Sequence, residues 1–301
     1  MSSVASLAAV LVLAPFLLGV INRTKSLVAG RTGPPLLQAY FDLAKLLRKG
    51  FVVSETTTWV FLAGPVLSVA APVVAALLLP LGGQPAVLSF TGDMVLFVGV
   101  FSLARFFVAA AAMDTGSPFE GMGAAREVTF SALAEPALLF GLLALTRMSG
   151  SLSLTGMFDL GAAQAWQKGS ASIVLILASW FIVLLAENSR VPFDDPNTHL
   201  ELTMIHEVMV LDHAGPAFGF IVYGAALKLT VFASLLVMLL TPSRSGSWAL
   251  DLAVFTGGLV GVSAVVGFVE SSMARLRLVR VPQLLVTATL LAGFAVVLVL
   301  R

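Results

Sequence analysis

Eight apolar runs divide this chain, and each is long enough, or nearly so, to cross a hydrocarbon core of about 30 Å as a helix. Within lipid, the backbone must satisfy its own hydrogen bonds, which favours helices. The sequence between the runs is too short for a water-soluble domain. We therefore predict an all-α integral membrane protein with eight transmembrane helices in a single membrane domain covering residues 1–301. The predicted spans lie near residues 4–21, 59–80, 93–112, 128–147, 170–188, 217–240, 249–269 and 282–300.

The composition excludes several classes of protein and of chemistry. Charged residues make up 11% of the chain, against about 25% in soluble domains, so its solvent is the lipid bilayer. The absence of cysteine excludes an iron–sulfur cluster, a thiolate zinc site and a disulfide on this chain. No histidine lies in a predicted span, which excludes a transmembrane bis-histidine haem. We predict no metal, no cofactor and no nucleic-acid partner for the chain itself.

Lysine and arginine are distributed unevenly between the loops. The odd-numbered loops hold eleven of them, whereas the even-numbered loops hold about three. The positive-inside rule therefore places loops 22–58, 113–127, 189–216 and 270–281 in the cytoplasm and both termini outside.

The first of these loops contains an amphipathic stretch after Gly33-Pro34-Pro35. Between Leu36 and Lys49, apolar side chains recur on one helical face and polar ones on the opposite face. We predict a short amphipathic cytoplasmic helix after the first span. It could lie on the membrane surface or be the seat of a partner protein.

Ionisable residues within or at the ends of apolar spans are costly, so they often mark a functional path. The notable ones are Arg105, Glu127, Glu135, Lys228 and Glu270, whereas Asp93 and Arg147 can reach the membrane interface. Glu135 directly precedes Pro136, where a kink can admit water. Glu127 and Glu135 are separated by about 12 Å along a helix and by roughly 80° around it. Proton transfer between them would need a bridging water or a third group.

The fifth loop concentrates acids and histidines. Residues 187–213 hold six acids and all three histidines against a single base, Arg190. Either this is a solvated loop, or it is a docking site and a proton path. The histidines lie seven residues apart, which is too far for one metal ion on one helix. For His206, beside Glu207, we expect a proton-relay or loop-capping role.

Several motifs resemble those of the membrane subunit that respiratory complex I shares with membrane-bound nickel–iron hydrogenases and formate hydrogenlyase. Arg31-Thr32-Gly33-Pro34, Ala104-Arg105-Phe106-Phe107 and Ala134-Glu135-Pro136 carry this resemblance. So do the stretches 113–119, 123–127 and 272–278, and the formate hydrogenlyase branch is the most similar. The fifth loop opens as in the family with Glu187, Arg190, Pro192, Phe193 and Asp194, but it then departs, and only Glu201 is retained.

The resemblance implies an anchoring and coupling subunit without a catalytic centre of its own. In such complexes, a soluble hydrogenase-type arm with large and small subunits carries the iron–sulfur clusters and the nickel–iron site. That arm docks on the cytoplasmic face, and antiporter-like membrane subunits move protons or sodium ions. The implied location is the cytoplasmic (inner) membrane of a prokaryote. The predicted coupling residues are Arg105, Glu127, Glu135, Glu187, Asp194, Asp195, Glu201, His206, Glu207, Asp212, Lys228 and Glu270. The predicted docking residues are Arg31, Gln38, Asp42, Lys45, Arg190, Arg275 and Arg277.

Two alternatives remain open at this point. The chain could be the equivalent subunit of an NADH–quinone oxidoreductase, in which a cavity between the first span and the fifth loop would bind quinone. It could also be a stand-alone ion transporter, although the sequence shows no paired repeats or interrupted spans in corresponding halves.

Overall fold

The computed structural model describes residues 2–159, 161–194, 204–241 and 245–300, without the side chains of 161–165 and 168. Within these ranges the chain forms ten α-helices joined by loops and short 3₁₀ turns, with no strand. The helices are α1 (Ser2–Val28), α2 (Gln38–Leu47), α3 (Trp59–Leu78), α4 (Asp93–Asp114), α5 (Pro118–Ser149), α6 (Leu154–Asp159), α7 (Gly161–Glu187), α8 (Gly215–Leu240), α9 (Trp248–Ser272) and α10 (Val281–Leu300).

Eight helical segments are long and apolar enough to cross a membrane, which confirms the predicted all-α membrane fold. These segments belong to α1, α3, α4, α5, α7, α8, α9 and α10. Helix α8 is the most buried of them. It packs against α1, α3, α7 and α9, so its side chains reach the middle of the bundle.

The prediction that residues 113–127 form a loop is wrong. Helix α5 begins at Pro118, because proline suits the first turn of a helix, and it continues through Glu127 despite the glycines at 121 and 123. Glu127 is therefore fixed on α5 rather than free in a loop. Helix α1 likewise continues to Val28, beyond the predicted end of the first span.

The predicted amphipathic helix after the first span is present as α2. It packs against α1 and the start of α8, and none of its residues is fully buried within this chain. Gly219 of α8 allows this approach, because a methyl group there would meet Leu46 at 3.3 Å.

The segment between α1 and α3, which contains α2, and the loops after α4, α7 and α9 meet at one end of the bundle, here called the four-loop face. The backbone N–H of Leu276 donates to the carbonyl of Pro192 at 2.9 Å, which joins the last of these loops to the third. The backbone N–H of Thr58 donates to the carboxylate of Asp114 at 2.6 Å, which joins the first to the second. The loop after α7, residues 188–214, is here called loop five; it is described at 188–194 and 204–214.

Candidate functional site

Arg105 on α4 is the centre of a buried ion-pair network. Its Nη1 lies 2.6 Å from Oε1 of Glu135 on α5. Its Nη2 lies 2.8 and 2.9 Å from the two carboxylate oxygens of Glu187, the last residue of α7. Three transmembrane helices are thereby joined by one guanidinium. This planar group suits such pairing because its donors form a rigid fork.

The network continues on both sides of Arg105. Lys228 on α8 places its Nζ 2.8 Å from Oε2 of Glu187. The hydroxyl of Ser102, one helical turn before Arg105, donates to Oε1 of Glu135 at 2.6 Å. Cations and carboxylates alternate along this row, so each buried charge has a neighbour of opposite sign. Such pairing offsets the cost of removing charges from water.

A cavity with about 80 Å³ of space for water-sized molecules lies beside this network, on the side of the four-loop face. Arg105, Glu187 and Lys228 line it together with Glu127, Asn188 and His206. Among the described residues, the buried Oδ1 of Asn188 and Nε of Arg105 have no hydrogen-bond partner. Buried polar atoms of this kind are usually satisfied by ordered water when space allows. The cavity is therefore suited to hold water next to the ion pairs.

The cavity places both acids of α5 near one cation, Arg105, although a guanidinium stays protonated and cannot pass a proton between them. Glu127 faces the cavity and interacts electrostatically with Arg105. Arg105 in turn is bonded to Glu135. The two acids of α5 are thus connected through a side chain of α4, and not directly.

His206 of loop five faces the same cavity. Burial holds the pKa of its imidazole below the ordinary value; Lys228 acts in the same direction, whereas Glu127 and Asp194 act against it. The imidazole is therefore neutral near pH 7. In this form it can accept a proton from one side and donate one from the other.

Glu270 at the end of α9 forms a second ion-pair cluster. Its side chain is 0% exposed, and Lys25 of α1 places Nζ 2.8 Å from Oε2. Arg190 of loop five places Nη1 3.4 Å from Oε1. This cluster connects α1, α9 and loop five, and neither of its cations was predicted to pair with Glu270.

Asp194 is buried and holds the described parts of loop five together. Its Oδ2 accepts hydrogen bonds from the backbone N–H groups of Ile205 at 2.9 Å and His206 at 3.2 Å. Its Oδ1 lies 3.0 Å from Nη2 of Arg275, in the loop after α9.

Two further polar contacts fix the end of loop five, and the sequence reasoning missed both. Glu120, in the first turn of α5, is fully buried and accepts from the hydroxyl of Thr115 and from the backbone N–H of Asp212 at 3.1 Å. His213 stacks on Phe61 with 4.0 Å between the ring centroids. The only sequence signal for Glu120 was its position in the first turn of a helix that begins with proline.

The seven-residue spacing of the histidines does not place His206 and His213 on one helix. The segment between them contains only the 3₁₀ turn Glu207–Val210. Nε2 of His213 donates to the carbonyl oxygen of Phe61, 3.2 Å away, and His213 does not line the cavity. Burial lowers the pKa of His213, and the contacts with Phe61 and Asp212 oppose that shift.

The predicted docking residues fall into three groups. Arg190 and Arg275 are held in ion pairs within the chain. Arg31, Lys45 and Arg277 are exposed on the four-loop face or on α2. Gln38 donates to Asp42 at 2.8 Å, a contact within α2.

Two predicted coupling residues, Asp195 and Glu201, lie outside the described residues. Of the remaining acids of loop five, Asp212 is exposed and Glu207 is half-buried. Within the described ranges, no group of three or more His, Cys, Asp or Glu side chains could hold a metal ion.

Comparison with known proteins matches the whole chain to one family. The sequence model of NADH dehydrogenase matches residues 1–301. The chain is 32% identical to formate hydrogenlyase subunit 4 of Escherichia coli (strain K12) over 278 residues, which cover 90% of this chain and 89% of that protein. It is 30% identical to hydrogenase-4 component C of the same organism over 287 residues, which cover 95% of this chain and 89% of that protein.

A solved structure supports the same fold. The chain resembles a chain of the membrane-bound sulfane sulfur reductase, an archaeal respiratory membrane complex, with a TM-score of 0.84. The match covers 99% of this chain and 98% of the other at 20% identity. At that identity the likeness bears on the fold, which agrees with the eight-span bundle described above.

Proposed function

Because the chain belongs to the NADH dehydrogenase family, we propose that it is the anchoring and coupling subunit of a membrane-bound hydrogenase or formate hydrogenlyase-type complex. The two relatives at 30% identity or more are named as a formate hydrogenlyase subunit and a hydrogenase component. In this proposal the chain is one membrane domain, and it binds a soluble arm whose subunits carry the iron–sulfur clusters and the nickel–iron site. Antiporter-like membrane subunits are its other partners.

The observation that carries the proposal is the row of buried charges from the cavity to Glu135. Glu127 and His206 stand at the cavity, Arg105 and Glu187 follow, and Glu135 lies farthest along the row. Ionisable groups inside membrane helices are retained where they serve a path for charge. A plain anchor has no need of two cations and two acids joined by ion pairs between membrane helices, with a third acid at the cavity.

The chain's own part in coupling is to hold a proton at the cavity and to transmit the resulting change of charge. A change of charge in a docked partner at the four-loop face alters the electrostatic free energy of a proton in the cavity. The neutral His206 or the carboxylate of Glu127 takes up that proton from cavity water. Arg105 then re-partitions its hydrogen bonds between Glu187 and Glu135, so that the charge change reaches the middle of the bundle. Neighbouring subunits use it to move a proton or a sodium ion.

The proposed orientation places the four-loop face in the cytoplasm and both termini outside, in the cytoplasmic membrane of a prokaryote. The excess of lysine and arginine in these loops supports it. The exposed bases Arg31, Lys45 and Arg277 are the proposed contacts for the soluble arm, because their charges are available to an acidic partner surface.

Quinone binding is the second candidate function, as in the equivalent subunit of an NADH–quinone oxidoreductase. The lining of the cavity favours it, since apolar side chains such as Phe101, Val108 and Ile221 surround a few converging polar groups, as in ligand pockets. Photoaffinity labelling with a short-chain quinone separates the two functions. Labelling at the cavity that excess unlabelled quinone suppresses supports the second candidate.

The test of the leading proposal is the substitution Glu135→Gln in the assembled complex. The amide keeps the size of the side chain but cannot be ionised, so coupled ion uptake by membrane vesicles should fall at least tenfold while electron transfer and complex assembly persist. Glu55→Gln is the matched control, because Glu55 is an exposed acid in the loop after α2. Normal ion uptake by the Glu135→Gln complex at normal complex levels would refute the proposed path.

A further inference from the structure

The loop after α9 and loop five are joined at two adjacent points. Nη2 of Arg275 pairs with Oδ1 of Asp194 at 3.0 Å. One residue farther, the N–H of Leu276 donates to the carbonyl of Pro192 at 2.9 Å. A two-point contact fixes both distance and orientation between the segments. Arg275 is predominantly buried, with 16% of its side chain exposed, so this pair is protected from screening by salt.

The other oxygen of Asp194 reaches across loop five to the backbone beside the cavity. Oδ2 accepts from the N–H groups of Ile205 and His206. Hydrogen bonds from backbone N–H to an ionised carboxylate are about twice as strong as neutral ones. Asp194 therefore determines where the backbone of His206 lies.

Helix α5 fixes the same segment from the opposite side. Nη1 of Arg126 donates to the carbonyl of Met204 at 3.0 Å. The carbonyl of Ile205 lies so close to Gly123 that a methyl group there would approach it to 2.9 Å. The backbone before His206 is thus held between α5 and Asp194, and its position depends on both.

We propose that Arg275 and Asp194 are positioning residues that hold the His206 imidazole in the cavity and so connect the loop after α9 to the coupling site. The inference rests on the proposed function, since it assigns the connection to the same cavity. Met273, Ala274 and Arg277 flank Arg275 and are exposed on the four-loop face. A partner that contacts this short segment would move Arg275, and Asp194 would transmit the displacement to His206.

The charged groups around His206 explain why its position matters. Glu127 on α5, Lys228 on α8 and Asp194 in loop five act on its imidazole. Arg105 on α4 and Glu187 at the end of α7 line the same cavity. Because acids and bases face the ring from different elements, a small displacement changes which charge is nearest. Proton uptake by the cavity would then change with it.

Hydrogen exchange in the assembled complex tests the connection without relying on activity. In Arg275→Met the amides of Ile205 and His206 should exchange at least about tenfold faster, because Asp194 loses the partner that orients it. Arg275→Lys keeps the charge and should restore most of the protection. Arg280→Met is the matched control, since Arg280 is exposed and its side chain makes no contact with loop five within the described residues. Unchanged exchange at Ile205 and His206 in Arg275→Met would overturn the inference.

The pH profile of coupled activity distinguishes positioning from a purely structural contact. We expect a shifted profile in Arg275→Met, a wild-type profile in Arg280→Met and rescue in Arg275→Lys. Faster exchange with an unshifted profile would show that the pair only stabilises the loop, which also overturns the inference. If Arg275→Met does not assemble, Asp194→Asn is measured in the same way, because it removes the charge while preserving the shape of the side chain. The Glu135→Gln experiment tests the proposed function separately. A failure of the positioning role can therefore be distinguished from a failure of the proposed function.

Discussion

Arg105 and Glu187 form a two-contact ion pair between α4 and the end of α7, with Nη2 of the guanidinium 2.8 and 2.9 Å from the two carboxylate oxygens. The pair closes the inner side of the cavity and leaves Nη1 for Glu135. The bonding of one cation to acids on two helices makes Arg105 a structural tie between α4, α5 and α7.

Removal of the Arg105 side chain should therefore lower the stability of the fold. Its side chain is 10% exposed, and Arg105→Met leaves Glu135 without its cation and Glu187 with Lys228 alone. Breaking a buried pair on one side costs about 3–5 kcal/mol, so we expect a lower midpoint of thermal unfolding and loss of coupled ion uptake. The measurement is a thermal unfolding curve of the detergent-solubilised complex. Arg147→Met, which removes an exposed arginine at the other end of α5, should leave the midpoint within about 1 °C.

The amino-acid sequence predicted the spans well because hydrophobic length is a local property. It also pointed to Arg105, Glu135 and Lys228, since an ionisable residue in an apolar run is conspicuous. It could not pair them, because Arg105 is 30 residues from Glu135 and 82 residues from Glu187 in the chain. Such partners are decided by helix packing, which no local pattern encodes.

The same limit explains the error at the start of α5. The polar residues at 119–127 resemble a loop by composition, yet Ser117-Pro118 is a sound helix start. Glu120 was missed for this reason. Likewise, Arg190 and Arg275 were predicted to be free for docking, whereas folding engages them with Glu270 and Asp194.

The Glu270 cluster predicts which of two substitutions lowers the thermal midpoint more. Glu270 is the acid for both Lys25 and Arg190, so Glu270→Gln leaves two cations facing an uncharged amide. Lys25→Met removes only one partner, and that lysine is 24% exposed and partly screened. We expect Glu270→Gln to lower the thermal midpoint more than Lys25→Met does.

A double-mutant cycle of Lys25 and Glu270 checks this order. If the two residues interact as the structure shows, the double variant should be less destabilised than the sum of the single variants. Additive effects on the free energy of unfolding would mean that the pair contributes no coupling energy. Equal midpoints for the two single variants would contradict the shared role of Glu270.

The two described histidines of loop five predict a pH dependence of stability. Burial lowers the pKa of both His206 and His213 in the folded protein, whereas the unfolded chain has the ordinary value of about 6.5. As the pH falls through about 6.5, the unfolded state therefore binds more protons than the native state. Stability must then fall toward acid pH.

The measurement is the thermal midpoint of the complex between about pH 8 and pH 5. The wild-type midpoint should fall below about pH 6.5, and the double variant His206→Gln/His213→Gln should show a flatter slope there. A wild-type midpoint that rises toward pH 5 would have the opposite sign and would contradict the lowered pKa values.

Close packing of α5 on α7 gives the last prediction. Gly141 lies against Trp180, and a methyl group at Gly141 would come within 2.2 Å of the indole Nε1. The indole is 2% exposed and rigid, so it cannot move aside, and Gly141→Ala should destabilise the fold by about 1–3 kcal/mol. Glu187 follows Trp180 by about two helical turns, so displacement of α7 should also weaken the ion pair with Arg105 and reduce coupled activity. Gly99→Ala on α4 is the control, because a methyl group there meets open space. A similar loss of stability in both variants would show that helix flexibility, and not the contact with Trp180, accounts for the effect.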